Sequence, residues 1–204
     1  MSIILSSLRN TVVAGLILAL LLLLTFSTWG IVDTSSFSDQ AFYSFIFRWL
    51  HVLSAIMWIG LLWYFNFVQI PNMPNIPDDQ KPAISKVIAP AALWWFRWSA
   101  MATVATGLIL GYLNGYLESS MTLGFRGDGA PQHIAIGIGM WLGIIMFFNV
   151  WFVIWPNQKR ALGIVSVAAD VKAASARTAM LFSRTNTLLS IPMLFSMVAA
   201  QNIF

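Results

Sequence analysis

The stretch SFIFRWLHVLSAIMWIGLLWYFNFVQ, residues 44–69, decides the fold. Arg48 is its one charge, and as a helix at about 1.5 Å per residue it reaches roughly 39 Å, beyond the roughly 30 Å of a bilayer's hydrocarbon core. Apolar residues surround it on all sides, a pattern that suits lipid or a bundle interior and not the face of a soluble protein. Four more stretches read the same way, at 11–32, 92–116, 132–155 and 185–203. The sequence therefore predicts an all-α, polytopic membrane protein: one domain over residues 1–204 with five transmembrane helices. Composition agrees, with 59% hydrophobic and 9% charged residues, and leaves little chain for a soluble domain.

The connections carry the orientation. Arg9, Lys81, Lys86, Arg97, Lys159, Arg160, Lys172, Arg177 and Arg184 fall on one side of the predicted membrane, and only Arg48 and Arg126 on the other. By the positive-inside rule the N-terminus is cytoplasmic and the C-terminus external. Pro71, Pro74, Pro77, Pro82 and Pro90 argue against a continuous helix between the second and third spans. Residues 161–182 read as an interfacial amphipathic helix, and the glycine-rich 117–131 as an irregular outer loop.

Several functions are excluded at this point. Without cysteine there is no disulfide, thiolate metal site, cysteine nucleophile or covalently attached c-type heme. The net charge of +4 comes from loops beside apolar helices, so the partner it implies is the lipid bilayer and not nucleic acid. Residues 11–32 are too long an apolar run for a secretion signal and are read as a retained first helix. No internal repeat marks an inverted-repeat transporter.

His51 and His133 are the only two histidines. Each lies near the outer end of a span that runs inward, so their depths roughly match. Two imidazoles from separate helices can hold a b-type heme iron between them, and Ala55 and Gly137, one turn further along, are small enough to admit the edge of the ring. Each histidine could instead snorkel to interfacial water or cap a helix end. At the opposite ends of the spans stand Asn66, Gln69, Arg97, Asn149, Gln158, Arg184 and Asn186, a set suited to a flat, anionic, hydrogen-bonding heterocycle, or to tying helix ends together. His51 and Asn66 are 15 residues apart, roughly 22 Å along a helix, so a ligand among the amides would not touch a heme at the histidines.

The run Arg48-Trp49-Leu50-His51 with Met57-Trp58-Ile59-Gly60, then Asn149-Val150-Trp151-Phe152-Val153-Ile154 before Pro156-Asn157-Gln158, and Ser183-Arg184-Thr185-Asn186-Thr187, resembles the membrane domain of PuuD-type bacterial urate hydroxylases, the urate oxidase N-terminal family. The resemblance implies a membrane oxidoreductase that converts urate to 5-hydroxyisourate and passes electrons to a c-type cytochrome. Full members are longer and end in a cytochrome c domain, whereas this chain has no Cys-x-x-Cys-His, so its electron outlet is expected to be another protein. Two functions follow as expectations. One is a heme-bearing oxidoreductase or electron-transfer protein serving a periplasmic c-type cytochrome. The other is a non-catalytic accessory subunit of a larger respiratory or photosynthetic membrane complex. Homo-oligomers are compatible with either.

Overall fold

The computed structural model describes residues 2–31 and 37–204, and among them every regular element is helical. The chain divides into two compact units, Met1–Phe45 and Ile46–Phe204. Among the described residues three helical stretches are long and apolar enough to cross a membrane: Leu8–Thr28, Gln40–Asn75 and Pro131–Ala161.

In the first unit α1 (Ser2–Leu5) precedes α2 (Leu8–Thr28). Leucine dominates α2, no residue of it is buried, and it ends where Gly30 takes a φ of +70° that closes the last turn. The predicted end of this span at Val32 lies outside the described residues.

The second unit is built on α3 (Gln40–Trp63), which enters it from the first and continues through a π-helical turn, Tyr64–Gln69, into α4 (Ile70–Asn72). Ile76, which precedes Pro77, is extended and breaks the chain, as a residue before proline favours. Next come α5 (Lys81–Ala83), a π turn at Ile84–Ile88, α6 (Ala89–Leu113) and the short α7 (Leu117–Met121). Then α8 (Pro131–Phe148) passes through a third π turn, Asn149–Ile154, into α9 (Trp155–Ala161), and α10 (Ala169–Asn202) closes the chain.

All three π turns end two residues before a proline: Pro71, Pro90 and Pro156. Proline lacks an N–H, and its ring crowds the carbonyl four residues back, here at Phe67, Lys86 and Phe152. Each of these carbonyls lies inside its π turn, where the widened coil relieves the crowding. Pro192 interrupts α10 without such a turn.

Two connections differ from expectation. Residues 161–182 do not form a separate interfacial helix: α10 runs unbroken from Ala169 into the expected last span, because no glycine or proline intervenes before Pro192 and Asp170 favours the start of the helix. The expected loop 117–131 opens as helix, α7, before Gly124, Gly127 and Gly129 turn the chain with positive φ.

Side-chain contacts set the helix directions. On α3, Arg48 meets Gln201 and Asn66 meets Ser183, so α10 runs antiparallel to it. Asn149 beyond α8 meets Asn186, and Gly139 lies against Met197, so α8 is antiparallel to α10 as well and parallel to α3. The core is concentrated toward the Asn66 end, where Trp58, Leu62, Phe65, Leu93, Phe96, Met146, Val150 and Ile154 pack, with Phe65 and Phe96 edge to face at 5.8 Å.

The parallel pair shares a frame that the sequence reading passed over. Trp58, Gly60, Phe65 and Asn66 recur at identical spacing as Trp141, Gly143, Phe148 and Asn149. In both copies the asparagine lies in a π turn, is buried, and hydrogen-bonds to α10. Beyond each proline an asparagine, Asn72 or Asn157, donates to the carbonyl four residues back. This repeat is parallel, not inverted.

Asn186 is fully buried, donates to the Met146 carbonyl and accepts from the Asn149 amide. Asn186→Ala is expected to orphan that amide and lower stability by about 1–3 kcal/mol. The exposed neighbour Thr185→Ala should shift it by no more than about 0.5 kcal/mol. Unfolding of both variants in one detergent checks this, and equal losses would refute the role given to Asn186.

Candidate functional site

At the Arg48 end the four long helices of the second unit part around a cavity of about 530 Å³. Its walls are mostly apolar, and the side chains among them that carry polar groups are few: Arg48, His51, Trp58, Trp63, Thr103, Tyr116, Gln201 and Asn202. A void of this size with few convergent polar groups is the ordinary form of a small-molecule or cofactor site.

His51 is locked in place from α6. Its Nδ1 lies 2.8 Å from the Thr103 carbonyl and 3.3 Å from the Thr106 hydroxyl. A carbonyl only accepts, so Nδ1 carries a proton, and in the neutral ring the lone pair is then on Nε2. That is the tautomer a metal-binding imidazole uses, with its other nitrogen anchored to the backbone. Gly107 makes room for the ring: a Cβ there would lie 3.0 Å from the His51 Cε1 and 3.2 Å from Nδ1. Gly60 and Gly143, the paired glycines of the repeat, also line the cavity and face open space.

His133 takes a different position. Its Nδ1 donates to Asp128 Oδ1 at 2.9 Å, and its ring stacks on Tyr116 with centroids 5.4 Å apart. It is not among the cavity-lining residues, although Tyr116 is. The repeat explains why. In the shared Trp–Gly–Asn frame the position matching His51 is Ile134, so His133 is displaced by one residue, about 100° around the helix. Of the two small residues, Ala55 lines the cavity, whereas Gly137 is pressed against α7, where an added methyl would collide with the Ser120 carbonyl.

The Asp128 contact makes the loop before α8 pH-sensitive. The His133 hydrogen bond, followed by the Ala130 N–H, holds the Asp128 carboxyl down to about 2 from its ordinary 3.8. Between those values the unfolded loop binds more protons than the folded one, so the contact supports the fold above 3.8 and is lost as pH falls toward about 2. Pepsin cleavage between Thr122 and Ala130 should therefore rise across that window in the parent protein. Asp128→Asn should be cut as readily at its top as at its bottom, and matching profiles for the two proteins would count against the contact.

The amide and arginine cluster lies at the far end and is mostly engaged. The Asn66 amide donates to the Leu62 carbonyl and the Ser183 hydroxyl, and Asn149 is committed to Asn186. The Arg97 guanidinium lies 3.3 Å from the centroid of the Trp155 ring, with Nε donating to the Leu93 carbonyl. Arg184 is exposed. Among the described residues the Asn66 and Gln69 side-chain oxygens, both buried, have no donor. Asn66 and Asn149 thus tie the π turns that follow α3 and α8 to α10.

Residues 125–202 match the family model described as Urate oxidase N-terminal. The match supports kinship with that family. It spans α8, α9 and α10, so it takes in one wall of the cavity together with Asp128 and His133, while His51, α3 and α6 lie outside it. No curated protein and no solved structure matches the chain. Sequence reasoning missed the methionines of the cavity wall, Met140, Met193 and Met197, whose apolar character hid them among the core residues.

Proposed function

We propose that this chain is a membrane-bound oxidoreductase or electron-transfer protein, related to urate hydroxylases, that holds a b-type heme in the cavity at His51. The observation that carries the reading is an imidazole, anchored through Nδ1, on the wall of a mostly apolar cavity of about 530 Å³. The donor set supports it further. Arg48, one turn outward of His51 and bonded to Gln201 at 3.3 Å, lines the same cavity and is suited to the carboxylates of a heme edge. Trp58 is a wall residue whose buried indole N–H has no acceptor among the described residues. Bound there, a heme would supply one-electron storage.

In this reading the chain crosses the bacterial inner membrane five times, α6 and α10 completing the spans, with the Arg48 end periplasmic and a c-type cytochrome as acceptor. Urate is the substrate that the kinship suggests. Its conversion to 5-hydroxyisourate removes two electrons and two protons, with oxygen supplied by water, so two one-electron transfers to the cytochrome balance each turnover.

The test is the optical spectrum of the purified chain before and after dithionite, then with urate in place of dithionite. A Soret band that responds to dithionite supports the heme, and a response to urate supports the substrate. Protein that stays colourless after hemin is supplied, and purifies only with partner subunits, would overturn the reading in favour of an accessory subunit.

A further inference from the structure

We infer that Met197 is the second protein ligand in the cavity, trans to His51, so that the site takes a planar iron macrocycle in histidine–methionine ligation; the inference rests on the heme reading above. Across from His51 the cavity offers three thioethers and no second imidazole, namely Met140 on α8 and Met193 and Met197 on α10. His133 is turned away by its one-residue offset and held by Asp128.

Two hydrogen bonds between α3 and α10 fix which sulfur is level with His51. Arg48 meets Gln201, and Trp63 meets Ser190 at 3.0 Å. Those bonds enclose 15 residues of α3 and 11 of α10, so His51, three residues inward of Arg48, is level with about residue 199. Met197 lies two residues from that level, about 3 Å, and Met193 six residues, about 9 Å. Met140 neighbours Gly139, whose face meets both Met193 and Met197, which places it about 6 Å deeper than His51. Donors on opposite faces of a plate standing along the helices, with its charged edge toward Arg48, come from one level, and Met197 is the thioether that meets this condition.

The Met197 thioether lies over Gly139 of α8, its Cγ and Cε each 3.2 Å from where a Cβ on that glycine would be, so the missing side chain is what admits it there. An unbranched thioether is a recognised axial ligand of heme iron and raises the reduction potential relative to a second imidazole.

The experiment uses the full chain in detergent, loaded with hemin, as parent, Met197→Leu and Met197→His. Leucine keeps the volume and so the fold. The ferric parent is expected to be low-spin with a near-infrared sulfur-to-iron band. Met197→Leu should retain hemin through His51, lose that band and become high-spin, and Met197→His should return to low spin without the band and at a lower potential. If Met197→Leu matches the parent in band and potential, or if the parent shows a bis-imidazole spectrum that His133→Ala removes, Met197 is not the ligand while the heme reading stands. If the parent takes up no hemin, both fall together.

Discussion

His51→Ala is expected to abolish hemin uptake, weakening it by more than about 100-fold, while His133→Ala leaves the affinity unchanged. Displacing merely the partner that orients a metal ligand costs about 10–100-fold, and removing the ligand itself exceeds that. In the cavity there is no imidazole to replace it, since His133 neither lines the void nor has a lone pair turned to it through Nδ1, which is bonded to Asp128. Removal of His51 also releases the Thr103 carbonyl and the space over Gly107, changes that α6 accommodates without a new collision. Titration of each variant with hemin, followed at the Soret band, gives the comparison. Equal losses in the two alanine variants would restore the symmetric two-histidine site, and an unaffected His51→Ala would remove heme from this cavity altogether.

What the sequence made legible follows from which forces act locally. Apolar length sets the membrane-crossing stretches, and residues 44–69 and 132–155 fall within helices that the structure extends to Gln40–Asn75 and Pro131–Ala161. Asn66 and Asn149 could be read as facing inward, because lipid cannot satisfy an amide, and both are buried on α10. His51 could be found by its rarity. The rotation of His133 could not be read from its depth, because depth changes by only about 1.5 Å per residue while direction turns by about 100°. A one-residue offset therefore leaves the level almost unchanged and the facing side wholly different. Arg97 was legible as a polar group at the end of a span yet not as a stacked cation, since its partners Trp151 and Trp155 come from another part of the chain. The π turns were legible in principle: Pro71, Pro90 and Pro156 each follow an apolar run that ought to end, and the coil widens instead of stopping. Pro192 shows that proline alone does not force the widening.

The glycines of α8 separate packing from cavity, and two alanine substitutions should move stability in opposite directions. Gly137→Ala places a methyl against the carbonyl and Cα of Ser120, backbone atoms that no rotamer change can withdraw, so α7 has to shift away from α8. Overpacking of this kind costs about 1–3 kcal/mol, and here the displaced element also carries Leu117 beside Gly111 and adjoins Tyr116 on the cavity wall. Gly143→Ala, six residues along the same helix, meets nothing within 4 Å. It gains the helix preference of alanine over glycine, about 0.5–1 kcal/mol, while its methyl projects into the cavity. In the empty protein Gly143→Ala should therefore unfold later than the parent and Gly137→Ala earlier. With hemin present the stabilisation by ligand should shrink for Gly143→Ala, because the void is narrower where the ring would lie, and a ligand raises stability only in proportion to its affinity for the folded state. Thermal midpoints of the three proteins, with and without hemin, read both effects. If Gly137→Ala proves as stable as Gly143→Ala, the close approach of α7 to α8 is not part of the fold. If hemin stabilises Gly143→Ala as much as the parent, Gly143 does not border the bound ring.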